Sequence, residues 1–209
     1  VPTVMLFVPS RDGISHNPAE FSRVEDIAEA AAVVEQAVRR PTIAQLNAMG
    51  RERFTQTLGG IFEHSPWIAE RAWDARPFKD VADLHAKMVA VVDAATADEQ
   101  LALIRAHPDL VGKLAKQGRL TTESTAEQQA AGLDEITPDE ADAFDKFNAD
   151  YRARFGFPFV ICARENRKDA ILAAFPVRLT NDADTERATA LAEIAKIARL
   201  RLHDLVWEL

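Results

Sequence analysis

The sequence predicts an all-α fold, and three observations carry that prediction. Glycine is scarce, with 8 residues in 209. Strand-like runs are confined to a few short stretches. Apolar residues recur instead at three- and four-residue spacing, the period of one buried helix face. On this reading the chain is a compact bundle of about eight helices joined by short loops.

In chain order, Val4-Met5-Leu6-Phe7-Val8 is the clearest strand-like run. Val24 to Arg39 follows as an Ala-rich helix with Ile27, Ala31, Val34 and Val38 on one stripe, ended by Pro41. Thr42 precedes Ile43, Leu46 and Met49, a second helical segment. Ser65-Pro66 opens another, because serine caps helix starts and proline is tolerated at the first helical position. Asp80 to Ala94 places Val81, Leu84, Met88, Val91 and Val92 on one side, and Ala97 to Ala106 runs into His107-Pro108. The connection from Gly112 to Thr125 is polar and weakly periodic, and long loops inside compact domains are often functional. Thr137 and Glu140 have the spacing of a capping box, and behind them Phe144, Phe147, Tyr151 and Phe155 form an aromatic stripe read as core. Phe157 to Ala163 is a second extended apolar run. Arg167 to Phe175 reads as a short helix stopped by Pro176. Asp184 to about Val206 is the longest helix, turning Leu191, Ile194, Ala198, Leu202 and Leu205 inward.

Composition excludes several function classes. With 25 Lys+Arg against 33 Asp+Glu the net charge is −8, and no basic stripe offers itself to nucleic acid phosphates. No apolar run approaches the roughly 20 residues of a membrane helix. The single cysteine, Cys162, excludes an internal disulfide framework and Cys-based zinc modules. No secretory signal or peroxisomal address is visible, so a cytosolic setting is expected.

Three segments concentrate chemistry-bearing residues. His107 ends a helix at His107-Pro108-Asp109-Leu110, where the proline forces its backbone to extended values and projects the ring. His64, His85 and His203 read as structural, without acidic or cysteine partners at ligand spacing. The second segment is Ser124-Thr125-Ala126-Glu127-Gln128. It is either a plain capping box with Ser124 as N-cap, or a helix start presenting N–H groups and polar side chains to a small anion. The third, Phe155 to Ala163, is either a buried strand or an extended segment whose backbone groups, lacking a sheet, contact a ligand. Cys162 within it reads as a small buried apolar residue.

These segments carry a family resemblance. His107-Pro108-x-Leu110, then Ser124-x-x-Glu127-Gln128-x-x-Ala131-Gly132-Leu133, then Asn148-x-x-Tyr151-x-x-x-Phe155-Gly156-x-Pro158-Phe159-Val160 resemble, in order, the OHCU decarboxylases. Arg178-Leu179-x-Asn181, Glu186 and Ile197-Ala198-x-x-Arg201-Leu202 also fit, so the resemblance covers roughly Ile43 to Leu205. It implies an all-α enzyme that converts 2-oxo-4-hydroxy-4-carboxy-5-ureidoimidazoline (OHCU) to (S)-allantoin without metal or organic cofactor, as a homodimer. It places His107 as general acid/base and Glu127 as its acidic partner. Substrate contacts fall on Pro108, on Ser124, Thr125, Ala126, Glu127 and Gln128, and on Phe159, Val160, Ile161, Cys162 and Ala163. A C-terminal arginine completes the site. At 100° per residue Arg201 lies at the edge of the apolar stripe and Arg199 points away, so Arg201 is chosen, with Arg178 in reserve. The substrate is an anion, so positive potential is expected from Arg201, His107 and helix N-termini.

Residues 1–40 resemble something else. Met5 to Glu20 is similar to the C-terminal end of metal-dependent amidohydrolases acting on allantoate or N-carbamoyl amino acids. There Gly-Ile-Ser-His-x-x-x-Glu supplies one metal ligand, here His16. One His and one carboxylate do not make a zinc site. The expected organisation is a remnant over 1–40 and a decarboxylase-like domain over 41–209. With Val rather than Met in first place, the chain is expected to be the distal part of a bifunctional product. The alternatives are an accessory role to metal-dependent amide hydrolysis, or a catalytically silent helical module.

Overall fold

The computed structural model describes residues 8–14, 18, 20–111 and 120–208. Among these the fold is helical: α1 (Val24–Arg39), α2 (Ile43–Ala48), α3 (Arg51–Leu58), α4 (Pro66–Ala72), α5 (Val81–Asp93), α6 (Ala97–Arg105), α7 (Thr122–Ala130), α8 (Pro138–Phe155), α9 (Lys168–Arg178) and α10 (Ala183–Leu205). Extended pairing among the described residues is limited to an isolated bridge between Thr42 and Trp207. The strand expected at Val4 to Val8 lies outside the described residues except for Val8, and so does His16.

Local sequence explains most boundaries. Thr42, Thr96 and Thr137 each accept the third helical N–H, while Gln45, Glu99 and Glu140 reach back to the cap. Asp80 and Asp182 cap α5 and α10 in the same way, without the return bond. Gly156 ends α8 in the left-handed region at φ 74°, where an L side chain would be strained.

Several expectations need correction. Helix α3 is not signalled by periodicity, because only Phe54 and Leu58 are apolar in RERFTQTL; both are completely buried. Pro176 does not stop α9, which runs to Arg178. The proline falls in the last turn, and the next bond, Leu179 N–H to the Phe175 carbonyl, is made at 2.9 Å. The N-cap of α7 is Thr121 and not Ser124, so α7 opens inside the stretch read as a loop.

The core sits between α4, α5, α6 and α10, with α8 and α9 closing one end. Leu58, Ile68, Leu84, Met88, Leu103, Ile104, Ala198 and Leu202 are fully buried. The aromatic stripe of α8 is core as expected: Phe144 and Tyr151 are fully buried, and Phe159 stacks on Phe175 at 3.9 Å between centroids. Each such side chain contributes roughly 1.5–3 kcal/mol by leaving water. This packing fixes the ends of α6, α7 and α10 relative to one another, and the predicted site lies where they meet.

Candidate active site

Helix α6 ends on His107, which is 7% exposed. Its Nδ1 lies 3.0 Å from the Leu103 carbonyl. A carbonyl only accepts, so Nδ1 carries the hydrogen and Nε2 of the neutral ring keeps its lone pair. Burial pushes the imidazole down to about 4, so at neutral pH it is a free base.

The segment after it is pinned by three side chains from two helices. The Asn148 amide of α8 donates to the Leu110 carbonyl at 2.9 Å. Arg152 grips Asp109, and the Val111 N–H donates to Gln128 Oε1 at 3.1 Å. Val111 has φ 54°, a strained value for a β-branched residue. Strain of this kind persists where the surroundings over-determine the backbone, and it clusters at functional sites.

Helix α7 supplies Ser124, Glu127 and Gln128 to the inner side, and α10 supplies Ile197 and Arg201. With His107, Pro108, Leu110, Phe159, Val160, Ile161 and Ala163 these line a tight cavity of about 30 Å³, all except Arg201, which stands behind Glu127. Glu127 and Arg201 also border a wider groove of about 690 Å³ with Gly60, Ile61 and Arg164. Arg201 is 6% exposed and holds Glu127 by two bonds, Nε to Oε1 at 2.7 Å and Nη2 to Oε2 at 2.8 Å. Burial alone would lower its proton affinity, but the hydrogen bonds and charges of Glu127 and Glu63 raise it further, so it stays a guanidinium.

Glu63 was not anticipated. It is 3% exposed and accepts from Arg201 Nη1 at 2.9 Å and from the Ser124 and Thr121 hydroxyls at 3.2 and 3.1 Å. It arrives from the turn after α3, the helix that periodicity misses. That turn needs Gly59, where a Cβ would stand 2.6 Å from the Thr55 carbonyl oxygen. No signal in the sequence pairs Glu63 with residues 138 positions away.

The predicted residues are therefore not all brought together. Thr125 and Ala126 are exposed on α7, Thr125 turning its hydroxyl to the Thr121 carbonyl. Cys162 is buried, and burial pushes its thiol up to about 11, which agrees with a packing role. His107 is oriented by Leu103, while Glu127 is oriented by Arg201. Backbone groups of the extended segment are partly committed: the Val160 carbonyl accepts from Arg178 at 2.6 Å, and the Cys162 N–H donates to Glu193 at 2.8 Å. Arg178 itself is buried against Glu186 and Tyr151 and stands behind the cavity wall, over the Phe159 ring at 4.4 Å, without lining the cavity. Of the other histidines, His85 bonds the Ala195 carbonyl at 2.8 Å, and His64 sits in the α3–α4 turn at φ 45°, exposed. Among the described residues no three His, Cys, Asp or Glu side chains cluster as metal ligands, and no helix is long and apolar enough to cross a membrane.

Comparison with known proteins shows the family. A family model described as OHCU decarboxylase matches residues 47–203. The chain belongs to the OHCU decarboxylase family. The 2-oxo-4-hydroxy-4-carboxy-5-ureidoimidazoline decarboxylase of Amia calva is 41% identical over 162 residues, which is 78% of this chain and 93% of that one. The uric acid degradation bifunctional protein PucL of Bacillus subtilis is 42% identical over 167 residues, covering 80% of this chain and 33% of that one. Crystalline (S)-allantoin synthase superposes with a TM-score of 0.64 at 28% identity. That match covers 80% of this chain and 54% of the other, so this chain spans about half of that protein's length. The family model begins after α1 and includes His107, Glu127 and Arg201 within its bounds.

Proposed function

We infer that the chain is a decarboxylase converting OHCU to (S)-allantoin, with His107 moving protons and Arg201 and Glu127 forming the polar wall of the site. The observation that carries the assignment of roles is His107 itself: a buried neutral ring whose Nδ1 is tied off and whose Nε2 is left as a base.

The chemistry suits such a ring. The substrate carries carboxylate and hydroxyl on a carbon next to a C=N bond. As CO2 leaves, its bonding pair forms a C=C bond and the C=N pair moves to nitrogen, which takes a proton. The enol that results loses its O–H proton and gains one on the ureido-bearing carbon. One proton thus replaces CO2, and the substrate is its own electron sink. The protein's part is orientation, charge stabilisation and proton transfer on one face. In this reading His107 Nε2 takes the enol proton. Pro108, Ser124, Gln128 and the segment Phe159 to Ala163 shape the cavity around it.

Replacing His107 with Asn keeps a polar side chain and removes the base. The variant should retain its helical circular dichroism and lose at least about 10²-fold in turnover of freshly generated OHCU. Stereoselective allantoin production at the wild-type rate would refute the role.

The remaining parts of the reading concern organisation. We assign residues 1–40 to a separate piece with amidohydrolase resemblance and residues 41–209 to the decarboxylase domain. The exposure of Val24, Ile27 and Val34 on α1 supports that division. The bifunctional relative supports the compatibility of this domain with fusion. A homodimer in the cytosol belongs to the same reading, and sedimentation and cell fractionation test it.

A further inference from the structure

We propose that Glu63 is a positioning residue of this site, fixing Arg201 and Ser124 and standing as counter-charge to His107 whenever that ring holds a proton. The proposal rests on the decarboxylase reading and deepens it.

Glu63 has the environment of a fixed anion. A buried carboxylate is costly unless its lone pairs are filled, and here three donors from two helices fill them. The Thr121 cap and Ser124 of α7 and Arg201 of α10 all donate to it. Burial alone would raise its proton affinity, but the charge and hydrogen bond of Arg201 hold the carboxyl below its ordinary range. Glu63 is therefore ionised.

Two carboxylates, Glu63 and Glu127, then meet one guanidinium, and the cluster carries a surplus negative charge beside a neutral imidazole. The groups that face His107 are Glu63 and His64 from the α3–α4 turn, Arg201 from α10, and the Leu103 carbonyl from its own helix. Glu127, Ser124 and Gln128 of α7 share its cavity. Arg201 and His64 oppose a proton on the ring, whereas Glu63 favours one. In the proposed reaction the enol O–H proton passes to Nε2, its bonding pair becomes the carbonyl, and the C=C pair takes a proton at carbon. An imidazolium exists between those events. Its opposite charge is Glu63, held in place by its bonds to Thr121, Ser124 and Arg201.

The experiment compares wild type with Glu63→Gln, which keeps shape and removes charge. Three readings are taken: kcat and KM on freshly made OHCU, the pH profile of kcat, and the NMR titration of the His107 ring in free protein. Folded Glu63→Gln should lose about 10²-fold in kcat, the cost of a misplaced or uncompensated group. KM should move less than kcat, and His107 should become harder to protonate. Glu63→Asp, which retains the charge, should restore part of the titration shift. Wild-type kcat together with wild-type His107 titration in a folded variant would overturn the proposal. If Glu63→Gln does not fold, Glu63→Asp decides by kcat alone: its shorter side chain cannot reach Arg201, Ser124 and Thr121 at once, so wild-type kcat in folded Glu63→Asp would overturn the proposal. Failure of the decarboxylase reading looks different: wild type would then yield no allantoin, while the titration would still report on Glu63.

Discussion

The proposed role of His107 and the stability of the fold depend on the same proton. The ring is held neutral by burial, with its proton affinity pushed down to about 4. In the unfolded chain it titrates near 6.5. Between those values the unfolded state binds more protons than the folded one, so stability rises with pH across that window and falls as the medium is acidified. The melting temperature of wild type should therefore drop more steeply from pH 7 to pH 4.5 than that of His107→Asn, which has no such proton to bind. Parallel curves would mean that the ring is not buried neutral. His107 was legible in the sequence because proline after a helix-ending histidine is a local signal. Glu63 was not, because a carboxylate becomes a site residue only through tertiary partners. Sequence placed Glu127 as the acid next to His107, yet the bidentate grip of Arg201 claims it first.

At the scale of elements, the least expected object is the extended segment Phe159 to Ala163. A bundle has no sheet to satisfy such a backbone. The structure solves this with side chains: Arg178 of α9 donates to the Val160 carbonyl, and Glu193 of α10 accepts from the Cys162 N–H. Arg178 is anchored in turn by Glu186, a completely buried carboxylate that also takes the Tyr151 hydroxyl. These motif residues therefore serve the wall of the cavity and not its contents. Arg178→Met should strand Glu186 and cost about 3–5 kcal/mol, the typical penalty for breaking a buried ion pair. Urea denaturation measures it, and a midpoint equal to wild type would return Arg178 to consideration as the substrate arginine. Periodicity recovered the long helices α5, α8 and α10, whose stripes are wide. It failed on α3 and on the run of α9 past Pro176, where burial by tertiary contact overrides a weak local pattern.

For the whole molecule, the net charge of −8 places the burden of anion binding on a few groups, and those groups are already matched. Arg201 faces two carboxylates and His107 is neutral, so a substrate carboxylate reaches Arg201 by competing with Glu63 or Glu127, and Arg164 on the groove by competing with Asp204. That balance belongs to the helical domain alone, and its boundary can be located. Trp207 N–H donates to the Pro41 carbonyl at 2.9 Å, and Arg40 donates to the Val206 carbonyl at 3.0 Å. The Arg40 guanidinium also lies over the Trp207 ring at 4.8 Å. These contacts tie the residues just before α2 to the end of α10, next to the proposed division at residue 41. Upstream, Phe21, Val24, Ile27 and Val34 expose between 49% and 75% of their surface, so these side chains add little burial. A chain begun at Arg40 should keep kcat/KM within about twofold of the full chain, the range expected for changes away from packed features. It should also aggregate less, having lost an exposed apolar stripe. A chain begun at Ile43 loses the clamp and should be destabilised by roughly 1–3 kcal/mol from its hydrogen bonds and cation–π contact. Melting curves and decarboxylation assays on the two truncations decide the matter. If the Arg40 chain is unfolded or loses activity tenfold or more, residues 1–40 are part of the catalytic domain and the division fails.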